Sequence, residues 1–118
     1  MTHYYLESSA LVKLYVAETG SNWLLEFLKP ELDHTFYAAR ISAVEVVAAL
    51  LLRVRTGSLS LSLVQQTIEV FKTEFYVYYQ IAEITASLVE RAMKLVEIHP
   101  LKGYDAVQLA AAITLNQA

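Results

Sequence analysis

The 118-residue chain contains no cysteine. That excludes a disulfide framework and a thiolate metal site, so a bound metal has to rely on oxygen or imidazole ligands. With two prolines and three glycines, no stretch reads as a linker, and there is no low-complexity segment or internal repeat. Charge is also scarce. Charged residues make up 18% of the chain against 56% hydrophobic, the composition of a folded domain rather than a disordered tail. The longest apolar run, Val46–Leu52, falls far short of the roughly 20 residues that span a bilayer. Residues 1–17 have no basic segment, and Glu7 interrupts what would be a signal-peptide core. The expectation is a soluble, cytoplasmic, single-domain protein.

The formal net charge is -3 and the pI about 5.5, which argues against holding nucleic acid by broad neutralisation of phosphates. A nuclease is still compatible with that balance, because divalent metals held by carboxylates supply their own local positive charge.

Aspartate is the scarcest acid, present only at positions 33 and 105. Asp105 stands in His-Pro-Leu-Lys-Gly-Tyr-Asp-Ala-Val-Gln-Leu-Ala, at the mouth of an otherwise apolar helical pattern. Glu7 closes the apolar run Tyr4-Tyr5-Leu6 and precedes another helical pattern, and Glu45 lies just inside a helix that starts near Ser42. Three carboxylates at strand-to-helix junctions point to a metal site.

The aromatic segment 3–7 predicts a short buried strand, followed by a helix in which Leu11, Val12, Tyr15 and Val16 recur at helical spacing up to Thr19-Gly20. Ser21 is positioned to cap a second helix through Trp23, Leu24, Phe27 and Leu28. Residues 35–41 predict the second strand. Ser42-Ala43-Val44-Glu45 has the form of a capping box opening a helix that runs to Arg55 and stops at Gly57. A further helix over 59–75 is expected to bury Leu63, Val64, Ile68, Phe71 and Phe75, with Ser60 or Ser62 as its cap. The aromatic stretch Tyr76–Ile81 predicts the third strand, and helices over 85–98 and 104–115 complete the chain. Strands alternating with helical segments imply an α/β fold with a short parallel sheet flanked by helices, whose ligands gather at the carboxyl ends of the strands.

Each candidate residue has a structural alternative. Glu45 is accounted for by capping alone, Asp105 by the helix dipole. An acid placed directly after Tyr-Tyr-Leu, as Glu7 is, needs either a cleft or a partner. Ser9 caps the first helix or orients Glu7 or substrate. Lys13, Arg40 and Lys102 meet substrate phosphates or are solvated, salt-bridged cations. His3, His34 and His99 show no metal-ligand spacing.

Three segments in order, Tyr4-Tyr5-Leu6-Glu7-Ser8-Ser9-Ala10-Leu11-Val12-Lys13-Leu14-Tyr15, Ala38-Ala39-Arg40-Ile41-Ser42-Ala43-Val44-Glu45-Val46-Val47-Ala48-Ala49-Leu50 and Leu101-Lys102-Gly103-Tyr104-Asp105-Ala106-Val107-Gln108-Leu109-Ala110, together resemble the PIN domain, above all the VapC-type toxin ribonucleases. The resemblance implies a three-layer fold and a Mg²⁺- or Mn²⁺-dependent endoribonuclease paired with a small antitoxin protein, often as a homodimer. By position it makes Glu7, Glu45 and Asp105 the metal-binding and catalytic acids, with Ser9 as the neighbouring hydroxyl. The chain departs from the family pattern in having Glu7 where an aspartate is usual. It also ends before the strand that carries the family's fourth acid, so 1–118 reads as a single PIN-like domain lacking its C-terminal end. These departures support an alternative, a catalytically inactive PIN-like domain that binds protein or RNA.

Overall fold

The computed structural model describes residues 2–17, 21, 22, 25 and 34–116. Three strands, β1 (Thr2–Tyr5), β2 (His34–Ala39) and β3 (Gln80–Ala82), form one parallel sheet in the order β1-β2-β3. The register pairs Tyr4 with Phe36 and Tyr5 with Tyr37 on one side of β2, and Ala38 with Ile81 and Ala39 with Ala82 on the other. Five helices are described: α1 (Ser8–Val12), α2 (Ser42–Arg55), α3 (Leu61–Tyr78), α4 (Ala86–Ile98) and α5 (Gly103–Asn116).

The three layers follow from the period of a strand, in which successive side chains face opposite ways. Ala38 enters a core with Leu6, Leu11, Val46, Leu50, Val64, Phe71 and Phe75, so α1, α2 and α3 cover one face of the sheet. Its neighbour Ala39 enters a second core with Ala82, Leu88, Ala92, Ala106, Ala110 and Ala111, so α4 and α5 cover the other. In this alanine-rich second core, α4 and α5 pack chiefly against each other. The fold is therefore the expected α/β arrangement of a short parallel sheet flanked by helices.

The third strand is shorter and later than the aromatic run suggests. Helix α3 continues through Tyr78, and β3 begins only at Gln80. Phe71 and Phe75 are buried four residues apart, a helical spacing that Tyr79 extends with its ring 6.1 Å from that of Phe75. Tyr76, Val77 and Tyr78 are 62%, 67% and 68% exposed, so their strand propensity finds no sheet to pack against. Leu63, expected in the buried stripe, is also exposed, while Val64, Ile68, Phe71 and Phe75 are buried as expected. Ser60 is the N-cap of α3, accepting from the Leu63 amide at 3.2 Å.

Helix α1 is shorter than its pattern. After Val12 the chain passes into turns, with Leu14 and Tyr15 amides bonded to the carbonyls three residues back. The helix expected through Trp23, Leu24, Phe27 and Leu28 lies outside the described residues. Helix α2 ends as its Gly57 predicts. Gly57 takes φ +81°, its amide bonds to Val54 O at 3.1 Å and that of Ser58 to Arg53 O at 3.0 Å, the Schellman pattern.

Candidate active site at the carboxyl edge of the sheet

Because β1 and β2 are parallel, their carboxyl ends share one edge, and the chain turns directly from each into a helix. Glu7 lies two residues beyond β1 and Glu45 in the first turn of α2. Asp105 lies in the first turn of α5, and the next turn of that helix is tied to the end of β1 by the hydrogen bond from the Tyr5 hydroxyl to Gln108 Oε1. Glu7 and Glu45 thus stand at strand-to-helix junctions on this edge, and Asp105 at the start of a helix bound to it through Gln108.

Glu7 has found a partner in the backbone of its own helix. It is the N-cap of α1, its carboxylate accepting from the amides of Ser9 at 3.0 Å and Ala10 at 2.8 Å, and from the Ser9 hydroxyl. A carboxylate at a helix N-terminus also meets the positive end of the peptide dipoles. Ser9 thus turns its hydroxyl to Glu7 and leaves the capping to it.

Glu45 is not a capping-box residue. The N-cap of α2 is Ile41, in helical backbone and without a side-chain cap. Ser42 is buried inside the first turn, its Oγ accepting from Gln108 Nε2 at 2.9 Å. The serine being occupied across the layers, Glu45 points elsewhere, and its Oε2 accepts from the Ser8 hydroxyl at 3.1 Å. That bond joins the start of α2 to the start of α1, next to Glu7.

Between these acids and α5 runs a polar network. Gln108 bonds to Tyr5, Ser42 and Tyr104, the last at 2.7 Å from Nε2. Burial raises the Tyr5 phenol above its ordinary range, reinforced by Tyr104 and Glu7 and opposed by the Ala39 backbone and the Ser42 hydroxyl. Burial raises Tyr104 too; the bond from Gln108 opposes it, Glu45 adds to it, and the Ser42 and Ser8 hydroxyls oppose it. Both phenols are neutral donors at physiological pH. Sequence reasoning passed over Tyr5, Ser8, Ser42, Tyr104 and Gln108 as site residues. A signal was present in Gln108, a lone amide within Ala-Val-Gln-Leu-Ala-Ala-Ala-Ile.

The candidate cations are spread out. Arg40, just past β2, grips Glu83 through Nε at 2.8 and 2.7 Å to the two carboxylate oxygens, and lies 5.6 Å from the Tyr76 ring centroid. That guanidinium holds the Glu83 carboxyl below its usual range. Lys13 follows α1 as its C-cap, and Lys102 is exposed just before α5.

Carboxylates and hydroxyls are hard oxygen donors of the kind that suits Mg²⁺ or Mn²⁺. In chemical type the set fits such an ion. In geometry it is open: among the described residues no three acids or histidines lie close enough to hold one metal. Three of the roughly four lone-pair positions of the Glu7 carboxylate are already used by α1.

An α/β domain with acids set at the carboxyl edge of a parallel sheet belongs to a class of architecture in which that edge is the ligand-binding face. No family model matches the chain. Two curated proteins do, each 33% identical over 112 residues, covering 95% of this chain and 76% of the relative: Ribonuclease VapC45 of Mycobacterium tuberculosis strain CDC 1551 / Oshkosh and Ribonuclease VapC49 of Mycobacterium tuberculosis strain ATCC 25618 / H37Rv. The chain belongs to the VapC ribonuclease family.

Proposed function

We propose that this chain is a divalent-metal-dependent endoribonuclease, the toxin of a toxin–antitoxin pair. The observation that carries the proposal is the position of Glu7 and Glu45 just past two neighbouring parallel strands, with Asp105 at the start of α5, in a chain similar to VapC ribonucleases along nearly its whole length. Mg²⁺ or Mn²⁺ bound there would lower the pKa of a bound water and offset charge on the scissile phosphate. Asp105 and Glu45 would be the ligands, Glu45 with only one bond, from Ser8, on its carboxylate. Glu7 joins them when it yields part of its helix cap, and Ser9 steers its oxygens. Ser8 holds Glu45 toward the same edge. Lys13 and Lys102 flank the acids in sequence and are the proposed contacts for RNA phosphates; Arg40 serves only if it leaves Glu83.

The partner is a small antitoxin that lays a segment over the acidic edge and adjacent apolar surface. A homodimer belongs to the same reading. β1 has no strand beyond it among the described residues, and Val89, Met93 and Val96 form an exposed apolar row on α4. Light scattering at micromolar concentration is expected to give twice the chain mass; the mass of one chain defeats the dimer. We place the protein in the cytoplasm, and no described helix is long and apolar enough to cross a membrane.

One observation favours a second reading, a catalytically silent domain that binds RNA or protein: Glu7 is bound into α1 as a cap. Incubation with structured and unstructured RNAs separates the two. Cleavage that appears with Mn²⁺ or Mg²⁺ and stops with EDTA supports the enzyme; intact RNA under every metal condition supports the silent domain.

A further inference from the structure

Gln108 is buried within an apolar helical run, and a buried amide is costly unless its groups are paired. Here every group is paired. Oε1 accepts from the Tyr5 hydroxyl, and Nε2 donates to Ser42 Oγ at 2.9 Å and to the Tyr104 hydroxyl oxygen at 2.7 Å. The amide has two N–H donors, and both are spent. The arrangement is directional. Tyr5 oxygen is itself approached by the Ala39 amide and the Ser42 hydroxyl, so its proton goes to Gln108 and fixes which way round the amide sits.

Tyr104 receives a proton from Gln108 and must therefore aim its own elsewhere. Around it stand the Ser42 and Ser8 hydroxyls and Glu45. The Ser8 proton is already committed to Glu45 Oε2 at 3.1 Å. The Tyr104 O–H therefore faces serine oxygens and a carboxylate at the edge of the sheet, and a phosphate oxygen bound there would compete with them for its proton. A neutral donor suits this place. It can bond a phosphate oxygen without forming the ion pair by which a lysine or arginine would draw Glu45 or Asp105 away.

We propose that Gln108 is a positioning residue that fixes the Tyr104 hydroxyl as an uncharged hydrogen-bond donor to a phosphate oxygen of RNA bound at the Glu45 edge. The inference rests on the ribonuclease reading for the identity of the ligand. Its test is RNA binding, followed by fluorescence anisotropy with a short labelled RNA in an Asp105→Asn background that prevents cleavage, with melting temperature measured alongside. Tyr104→Phe is expected to weaken binding about tenfold, the order of one hydrogen bond to a charged group. Gln108→Glu, nearly the same shape, places an acceptor where Nε2 was, turns the Tyr104 proton inward, and is expected to cause a similar loss. The double variant is expected to bind no more weakly than either single one, because both act on the same proton.

Binding within about twofold of the background for Tyr104→Phe overturns the proposal, as do additive losses in the double variant. Should Gln108→Glu fail to melt cooperatively, Gln108→Met removes the donors without adding charge, and unchanged RNA binding in it counts against the proposal equally. The two failures are distinguishable. RNA left uncut by the unsubstituted protein with Mn²⁺, but bound in a manner sensitive to Tyr104→Phe, sinks the ribonuclease reading and leaves this one standing. No RNA binding at all sinks both.

Discussion

Glu7 is where structure and chemistry compete most directly, since its carboxylate satisfies two amides and a hydroxyl at the start of α1. Aspartate at this position has one fewer torsion to freeze on binding and is among the strongest N-cap residues. We expect Glu7→Asp to bind Mn²⁺ several-fold more tightly by calorimetry while melting no lower than the parent. Equal or weaker binding would show that the longer arm is no handicap. The positions of these acids at helix starts were legible as sequence, because Glu7 and Glu45 follow strand-like runs and Asp105 opens an apolar helical pattern. Their surroundings were less so. Ser42 and Glu45 match a capping box in spacing, yet Ser42 is claimed by Gln108 from another layer, 66 positions away in sequence, and Glu45 by Ser8. A local pattern carries no record of such competition.

Among the elements, the existence of the helices was the most readable, and some of their ends as well, since caps act within a few residues. Ser60 and Thr85 cap α3 and α4, and Gly57 closes α2. Gly57→Ala meets no steric obstacle, because nothing lies within 4 Å of an added Cβ, but it forces a side chain into left-handed backbone at φ +81°. The expected cost is about 1 kcal/mol, read from the urea midpoint. No loss would mean that α2 can end in another way. Strand β3 was misplaced for the opposite reason: Tyr76, Val77 and Tyr78 have strand-forming side chains, but the sheet position that would use them is taken by Gln80–Ala82. Propensity describes a residue, and pairing belongs to the sheet.

At the scale of the molecule, the two cores are stabilised by burial that also traps phenols. Tyr79 is pushed up to about 12, chiefly by burial with Glu74 adding to it, and burial raises Tyr15 likewise. A raised phenol favours the neutral form in the folded state. Its contribution is complete below the unfolded value near 10, and is lost as pH rises from there through the folded value. Stability measured by urea is therefore expected to be steady from pH 8 to 9 and to fall between about pH 10 and 12, and Tyr79→Phe should flatten part of that fall. A midpoint unchanged to pH 11 would contradict the burial account. The layered α/β plan was legible because alternation of strand-like and helical segments has few compact solutions. Which of the adjacent alanines, Ala38 or Ala39, joins which core was not, since nothing local distinguishes them.

The central claim is that the acids at the carboxyl edge cut RNA, and the most direct test is the rate of RNA cleavage with Mn²⁺ by the parent, Asp105→Asn and Glu45→Gln. Circular dichroism would confirm that each variant is folded. The account predicts metal-dependent cleavage by the parent and a loss of at least about a hundredfold in both folded variants, the order expected when a charge-stabilising group leaves a catalytic site. Cleavage by either variant at the parent rate would contradict it.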